Sequence, residues 1–315
     1  MKAAIINRYG EAYVLRYTDV QAPRIKPDQM LVRVHASSVN PVDWKIRKGL
    51  LKPLTGKQFP MILGFDVAGD VVAVGGRVTR FRPGDTIYAR LDQLAGGAYA
   101  EYAAVSERVA ALKPANMSYE QAAAVPLAGL TALQALRDRG QLKPGQKVLI
   151  NGASGGVGTY AVQIAKVLGA AEVVGVCSAK NFDLVRDLGC DRTLDYSQQD
   201  FTQEDTRYDI VFDVIGNRSF ADCRRVLQPQ GFYITTQPYP QNFLRSFASA
   251  LLPGPTYKVI LLRSNSDDLT FLKTQIEAGK IHSVIDRTYP LAETAAAHAY
   301  SEAEHATGKI VITVE

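Results

Sequence analysis

The pattern of apolar and polar positions changes along the chain, and the change predicts two differently built domains. Up to about residue 118, short apolar runs such as Met30–Ala36 and Val67–Val74 alternate with turns rich in glycine and proline. Many short strands between such turns are typical of a small barrel-like domain. Beyond Ser118, apolar runs of strand length alternate with helical stripes, for example over Asp267–Ala278. This alternation predicts a doubly wound parallel sheet and an α/β fold class.

The last apolar run, Lys309–Glu315, has no helix after it. We expect this strand to return to the first domain, which makes that domain discontinuous. The predicted domains are therefore residues 1–118 with 282–315, and residues 119–281.

A glycine-rich turn follows the apolar run 147–151 and precedes a helical stripe that starts at Val157. The turn matches the end of the dinucleotide-binding pattern G-x-G-x-x-G at Gly155 and Gly158, while the first glycine of the pattern falls on Ala153. A turn of this kind lets backbone approach a diphosphate, and the helix N-terminus offers it unpaired N–H groups.

The next predicted strand, Glu172–Cys177, ends in Ser178, Ala179 and Lys180. An acidic residue at this position would bind the ribose hydroxyls of NADH and repel a 2′-phosphate. Because Ser178 and Lys180 offer a donor and a positive charge instead, we expect NADPH to be the cofactor.

Two other interpretations of the turn stand beside this one. Residues Gly152–Gly156 also fit G-x-S-x-G, the nucleophile turn of serine hydrolases, with Ser154 as nucleophile and His282, His298 and His305 downstream. The turn could also serve only to pack helix against strand. The hydrolase interpretation explains neither Gly158 nor the Ser-Ala-Lys ending of the next strand.

Composition narrows the classes of function. The chain has 315 residues, 47% of them hydrophobic, and a net charge of only +5, which does not indicate a nucleic-acid-binding protein. Its three cysteines form no C-x-x-C motif, so a reducing compartment is expected. The first residues lack the pattern of a secretion signal, which favours a cytoplasmic location.

Taken in order, nine short motifs resemble those of the medium-chain dehydrogenase/reductase superfamily, in its zinc-lacking quinone oxidoreductase branch. The resemblance covers nearly the whole chain and implies a GroES-like β-barrel catalytic domain plus a Rossmann domain, with cofactor and substrate in the cleft between them. The motifs span residues 40–43, 63–69, 78–85, 97–102, 126–131, 152–158, 194–196, 213–216 and 308–312.

The resemblance also bears on zinc. Zinc-dependent relatives carry a cysteine where this chain has Asn40 and a His-Glu pair where it has Phe65 and Asp66. Phenylalanine cannot bind zinc, and a catalytic zinc site needs three protein ligands. We therefore expect no metal, and hydride transfer without a zinc-bound alkoxide.

Residue roles follow from the family match. On the substrate side the candidates are Asn40 as a donor to a carbonyl oxygen, Trp44 as a stacking surface, and Asp43 and Phe65. On the cofactor side, the resemblance implies contacts with the diphosphate, with the 2′-phosphate and adenine, with the nicotinamide, and from Lys309 with the phosphates. The residues implied are Thr131, Ser154, Gly155, Gly156, Val157, Ser178, Lys180, Tyr196, Val214, Gly216 and Lys309.

The resulting hypothesis is an NADPH-dependent reductase of quinones. Reduction of the C=C bond of α,β-unsaturated aldehydes or ketones requires the same hydride geometry and stays an alternative, as does an NADPH-binding module without turnover. The resemblance also implies a homodimer.

Two segments fit none of these roles. Residues 45–57 carry five basic side chains, which indicate either a solvated loop or a contact with an anionic membrane. The apolar stretch Phe243–Leu252 has no predicted conformation.

Overall fold

The computed structural model describes residues 1–303 and 306–314, and it divides the chain into two compact units. Unit 1 consists of Met1–Leu127 with Ser264–Glu315, and unit 2 of Ala128–Arg263. The C-terminal segment thus returns to the first unit.

Unit 1 is built mainly from strands. Its strands are β1 (Lys2–Ile6), β2 (Leu15–Asp19), β3 (Gln29–Val39), β4 (Met61–Ile62), β5 (Asp66–Val74), β6 (Thr86–Arg90), β7 (Tyr102–Ser106), β8 (Ala110–Leu112), β15 (Ile285–Pro290) and β16 (Lys309–Thr313). Its helices are α1 (Pro41–Arg47), α2 (Lys52–Thr55), α3 (Tyr119–Ala123), α9 (Ser266–Glu277) and α10 (Thr294–Glu302).

The long strand β3 is the centre of unit 1. It pairs antiparallel with β5, β7 and the C-terminal strand β16, in a seven-stranded sheet of order β15-β16-β3-β5-β6-β8 with β7 also on β3. A second sheet has the order β2-β1-β4. Buried side chains such as Met30, Val32 and Ile312 form the core. This unit is therefore the strand-rich first domain that the sequence predicts.

Unit 2 alternates strands and helices. Its elements are α4 (Pro126–Leu133), a π-helical turn (Gln134–Arg139), β9 (Lys147–Asn151), α5 (Gly156–Val167), β10 (Glu172–Cys177), α6 (Phe182–Asp187), β11 (Arg192–Asp195), β12 (Tyr208–Asp213), α7 (Phe220–Cys223), β13 (Leu227–Thr235), α8 (Pro240–Ala250) and β14 (Thr256–Val259).

The six strands of unit 2 form one parallel sheet of order β11-β10-β9-β12-β13-β14. This is the Rossmann order, in which the chain direction across the sheet reverses between β9 and β12. Ligands of such sheets bind beyond the carboxyl ends of the strands at that reversal. The prediction of a doubly wound sheet is confirmed, and this edge is where such a sheet would bind its cofactor.

The observed boundaries between the units differ from the predicted ones at 118 and 282, because α3 and α9 belong to unit 1. Tyr88 donates its hydroxyl to Leu269 O of α9 at 2.5 Å, and Asn116 Nδ2 donates to Ile276 O at 2.9 Å. Helical periodicity locates such a helix but does not reveal which sheet it packs on.

In the part of the chain that the structure describes, no helix has both the length and the apolar character needed to cross a bilayer.

Candidate active site

The glycine-rich turn of unit 2 joins β9 to α5. Gly152 has a φ of +91°, a backbone conformation that disfavours side chains, and α5 begins directly after Gly155. A Cβ added to Gly158 would lie 2.0 Å from Gly152 O, whereas one added to Gly155 would lie 3.5 Å from the same atom. Gly158 is therefore required by packing, and Gly155 is not.

Gly155 also lacks a side chain that could cap α5, so no such group covers the first backbone N–H groups of the helix. These N–H groups and the open space beside Gly155 fit a diphosphate. Ser154, Gly155, Gly156 and Val157 are all partly accessible at this turn.

The other cofactor candidates of unit 2 lie at the same edge of the sheet. Val176 and Asp213 both pair with Asn151, and Cys177 pairs with Asp195, so Ser178, Tyr196 and Val214 each follow the carboxyl end of a neighbouring strand.

Side chains at this edge differ in exposure. Lys180 and Gly216 are exposed, Tyr196 is 57% exposed, and Asn181 Nδ2 donates to Ser154 Oγ at 3.1 Å. Thr131 differs from these residues, because it is buried on α4.

Sequence reasoning missed a buried polar group where the strand order reverses. Asn151 Nδ2 donates to Asp213 Oδ1 at 2.8 Å, and the same oxygen accepts from Gly216 N at 2.7 Å. Tyr233 donates its hydroxyl to Asp213 Oδ2 at 2.7 Å, and burial raises the pKa of that hydroxyl. Asp213 thereby fixes the loop that begins at Val214. In the sequence, the motif at residues 213–216 was the signal from which this buried group could have been found.

The geometry around Ser154 does not match a hydrolase. A nucleophile turn holds its serine in a strained conformation, yet among the described residues Gln141 is the only non-glycine with positive φ. Ser154 Oγ accepts from Asn181, and His298 lies buried in unit 1 against Tyr99. His305 lies outside the described residues.

In unit 1 the substrate-side candidates gather where β3 ends and α1 begins. Asn40 is 2% exposed and directly precedes α1, and its backbone N–H donates to Asp43 Oδ2 at 2.7 Å. The Asx residue before the helix and the acid three positions later explain why the helix starts here.

Lys309 fixes the orientation of the Asn40 amide. Lys309 Nζ donates to Asn40 Oδ1 at 2.6 Å, and Asn40 Nδ2 donates to Asp66 Oδ2 at 2.8 Å. An ammonium can only donate and a carboxylate can only accept, so the amide oxygen must face the lysine. The lysine is 3% exposed, and burial lowers its pKa. Its amino group, which the resemblance assigned to the phosphates, thus belongs to the substrate-side group.

Both oxygens of Asp66 are hydrogen bonded. Oδ2 also accepts from Ser38 Oγ at 2.7 Å, and Oδ1 accepts from Leu127 N at 2.8 Å. Lys309 Nζ lies 3.7 Å from Oδ2 and supplies the counter-charge. We call Asn40, Asp66 and Lys309 the amide triad.

A second series of buried, hydrogen-bonded side chains starts at Asp43. Tyr99 donates its hydroxyl to Asp43 Oδ2 at 2.9 Å, and His298 Nε2 lies 3.3 Å from the same hydroxyl. Burial raises the pKa of Asp43 to about 7, and burial with the Arg47 charge lowers the pKa of His298 to about 3. At pH values between these two pKa values, both side chains are therefore mainly neutral.

Phe65 and Trp44 both lie against cations. The Arg90 guanidinium is 4.8 Å from the Phe65 ring centre, and burial lowers the pKa of Arg90. Lys45 Nζ and Lys48 Nζ lie 5.5 and 5.7 Å from the Trp44 ring centre. Part of the stacking surface predicted for Trp44 is therefore already used by lysines.

The basic run 45–57 is not a uniformly solvated loop. Arg47 is completely buried and pairs with Glu302, and Lys48 Nζ lies 2.5 Å from Glu302 and 3.3 Å from Glu11. Two of the five basic side chains of this run are therefore neutralised within unit 1. This weakens both the interpretation as a solvated loop and the interpretation as a contact with an anionic membrane.

Comparison with known proteins extends these findings. Residues 26–115 match the family model described as alcohol dehydrogenase GroES-like domain, and residues 188–312 match the model described as zinc-binding dehydrogenase.

The chloroplast envelope quinone oxidoreductase homolog of Arabidopsis thaliana is 37% identical, over 99% of this chain and 98% of its own length. The NADPH-dependent alkenal/one oxidoreductase of the same plant is also 37% identical, over 99% of this chain and 79% of its own length. The structure of the quinone oxidoreductase from Coxiella burnetii superposes with a TM-score of 0.92 at 31% identity, covering 100% of this chain and 99% of that one. The chain is therefore an oxidoreductase of the medium-chain dehydrogenase/reductase superfamily, to which these quinone oxidoreductase homologues also belong.

Proposed function

We propose that the protein reduces quinones with NADPH and without zinc. The quinone is supported by the printed names of two relatives, the Arabidopsis envelope homologue and the Coxiella enzyme. The observation that carries the proposal is the amide triad. The family resemblance places Asn40 and Asp66 where zinc-dependent relatives carry metal ligands, and here the two side chains are hydrogen bonded to each other, with Lys309 on the Asn40 amide oxygen.

Zinc independence is supported by the chemistry of these residues. Phe65 has no ligand atom, and the Asn40 amide oxygen already accepts from an ammonium whose charge would repel a metal cation. Within residues 1–303 and 306–314, no three His, Cys, Asp or Glu side chains are grouped so that they could hold a metal. We expect treatment with a strong chelator to leave the turnover rate unchanged.

NADPH is supported by the edge of the sheet in unit 2. No acid follows β10, and Ser178 and Lys180 offer a hydroxyl and a positive charge to a 2′-phosphate. The Arabidopsis alkenal/one oxidoreductase carries NADPH in its name.

The cofactor assignment is tested by Ser178→Asp. A carboxylate here would repel the 2′-phosphate, so we expect NADPH binding to weaken by at least about 30-fold while NADH binding changes little. Dissociation constants from nicotinamide fluorescence give both values, with Ser301→Asp on α10 of unit 1 as the serine control. Equal losses for the two cofactors would contradict the assignment.

The chain's own residues would supply a hydrogen-bond donor to the quinone that accepts the hydride. Bound NADPH supplies the hydride, and with a proton the quinone becomes a hydroquinone, so a carbonyl oxygen gains negative charge and needs a donor. Asn40 is our candidate donor, because one amide hydrogen faces Asp66 while the other has only a 3.5 Å contact with Ser38 O. Lys309 holds the amide in this orientation and adds positive potential in a site with little water.

Reduction of conjugated C=C bonds is a second candidate function, supported by the alkenal/one oxidoreductase at the same identity. Hydride would add to the β-carbon and a proton to the α-carbon, and the intermediate enolate oxygen would need the same donor.

The decisive experiment compares acceptors with NADPH as donor: a benzoquinone, an ortho-quinone, a medium-chain enal and a vinyl ketone. We expect kcat/KM to be highest for a quinone, and Asn40→Ala to lower it by about 100-fold, the effect of losing one oxyanion donor. Asn116→Ala is the matched amide control. Higher kcat/KM for the enal or vinyl ketone would establish the second function, and no NADPH oxidation with any acceptor would overturn both.

A further inference from the structure

Helix α8 presents an apolar face to the outside of unit 2. Leu244 and Phe247 are 72% and 70% exposed, and Leu251 and Leu252, directly after the helix, are 71% and 66% exposed. Phe243 is 40% exposed beside them. Large apolar side chains concentrated on one surface in this way mark a site of interaction.

The inner face of α8 is polar and its outer face is apolar, which is the reverse of the usual arrangement in a surface helix. Asn242 Nδ2 donates to Gln237 O at 2.8 Å, and Ser249 Oγ accepts from Tyr257 N at 2.9 Å. The bond from Tyr257 holds the helix on β14, and the bond to Gln237 holds its first turn on the preceding segment. Both oppose a rotation that would bury the leucines, because turning the helix would leave these polar groups unpaired.

The chain around α8 carries no negative charge. Between Asp222 and Asp267 there are five basic residues and no acid, while the rest of the chain has 31 basic and 31 acidic residues and is neutral. The whole net charge of +5 therefore resides in the 44 positions between these two aspartates. The basic residues are Arg224, Arg225, Arg245, Lys258 and Arg263.

Two of these arginines lie beside the apolar residues of α8 and of the turn that follows it. Arg245 is exposed on α8 itself, and Arg224 Nη2 would lie 3.2 Å from a Cβ added to Gly254, in the turn after the helix. Both side chains line one shallow hollow of about 260 Å³ together with Phe220. Arg245 Nη1 lies 3.5 Å from Asn242 Oδ1, and the Arg224 guanidinium lies 6.0 Å from the centre of the Phe220 ring.

We propose that α8 and Leu251–Leu252 dock unit 2 on an anionic lipid bilayer, with the helix in the plane of the interface and Arg224 and Arg245 at the headgroups. Apolar side chains of such a helix enter the acyl boundary, and nearby arginines gain from anionic lipid. A second copy of the chain fits this face less well, because a two-fold contact would bring two positively charged segments together. Docking would place the enzyme beside acceptors dissolved in lipid, but it does not depend on which acceptor is used.

The test is co-sedimentation of the full chain with phosphatidylcholine vesicles, with and without phosphatidylglycerol. We expect binding only to the vesicles that contain phosphatidylglycerol, and Leu244→Ser with Phe247→Ser to weaken it by at least about 30-fold. Leu54→Ser, a leucine 65% exposed within the basic run 45–57, is the matched control and should leave binding unchanged. Equal binding to both kinds of vesicle, or an equal loss in the control, would overturn the proposal.

The charge component is tested by Arg245→Glu, with Lys52→Glu as control. Removing one cation near the surface weakens binding about five-fold, and reversing it about 30-fold. Oxidation of NADPH with a short-chain quinone should be unchanged in the variant with Leu244→Ser and Phe247→Ser, so failure of docking is distinguishable from failure of the proposed reaction. If the α8 variants instead convert a dimer to a monomer in light scattering and vesicle binding persists, α8 is a contact between copies and the proposal is wrong.

Discussion

Buried ionisable side chains determine how unit 1 responds to pH, and two of them act in opposite directions. Asp43 has a raised pKa of about 7, so the folded state holds its proton more tightly than the unfolded state, and its contribution to stability falls as pH rises from about 4 to 7. His298 has a lowered pKa of about 3, so its contribution rises with pH from about 3 to 6.5. Between about pH 4 and 6.5 the two effects largely cancel.

Asp43→Asn removes the contribution of Asp43 to the pH dependence of stability and leaves that of His298. The variant keeps an acceptor for Asn40 N and Tyr99, and it lacks the cost of ionising a buried carboxyl group. We therefore expect its free energy of unfolding, relative to the parent, to increase by up to about 3 kcal/mol between about pH 5 and pH 7.5. Urea unfolding at the two pH values measures the change. Asp200→Asn is the control, because a lowered pKa keeps Asp200 ionised throughout this range; an equal change there would contradict the prediction.

The amide triad gives a second prediction. Lys309→Met removes the cation that lies 3.7 Å from Asp66 Oδ2 and takes this counter-charge from a fully buried carboxylate, which costs about 3 to 5 kcal/mol of unfolding free energy. Adding Asp66→Asn removes that charge, so the double variant should be more stable than Lys309→Met alone. A double-mutant cycle from urea unfolding checks this. If the two losses simply add, Lys309 and Asp66 are not a coupled pair.

In the turn between β9 and α5 of unit 2, one glycine is needed for packing and another is proposed to serve cofactor binding, so substitutions can distinguish the two roles. Gly158→Ala would force α5 away from β9, because the new Cβ would lie 2.0 Å from Gly152 O, so we expect a loss of about 2 kcal/mol or more in stability. Gly155→Ala meets the same atom only at 3.5 Å, so the fold should tolerate it, and the methyl group would stand where the diphosphate is proposed.

We expect Gly155→Ala to keep the melting temperature and weaken NADPH binding by at least about tenfold. Gly76→Ala is the control for both variants, since nothing lies within 4 Å of its added Cβ. Thermal unfolding and cofactor titration distinguish the outcomes. Unchanged NADPH affinity in Gly155→Ala would place the diphosphate elsewhere.

Elements differ in how far the sequence predicts them. The β9–α5 turn was predictable because strand, glycines and helix are adjacent in the chain, and their spacing carries the geometry. The orientation of α8 was not, because its apolar residues face outward while Asn242 and Ser249 make the inner contacts, which reverses the usual rule for surface helices. Helix α9 was predicted within one residue at each end, but its assignment to unit 1 depends on tertiary contacts.

At the scale of the whole molecule, the site of unit 1 is assembled from distant parts of the chain. Lys309 and Asn40 are 269 positions apart, and they meet because β16 pairs with the end of β3, at Ile310 and Val39. The sequence predicts that the last strand returns to the first domain, but it does not reveal the strand with which it pairs. The triad therefore could not be predicted, although the role of Asn40 and the zinc argument could. Unit 2, by contrast, is one continuous segment, and its candidate residues were found from local motifs.

Because unit 2 is one continuous segment and unit 1 is not, we expect the two to behave differently when they are produced as separate fragments. A fragment of residues 126–263 contains all six strands of the parallel sheet and its buried core, so we expect it to fold and to bind NADPH. The fragment 1–127 lacks β16 and α9, which leaves residues 36–39 of β3 without their partner strand and Asp66 without its lysine, so it should stay unfolded. Circular dichroism and nicotinamide fluorescence test both fragments. A folded fragment of residues 126–263 that does not bind NADPH would mean that residues of unit 1 are needed for cofactor binding, contrary to the assignment of the diphosphate to the Gly155 turn.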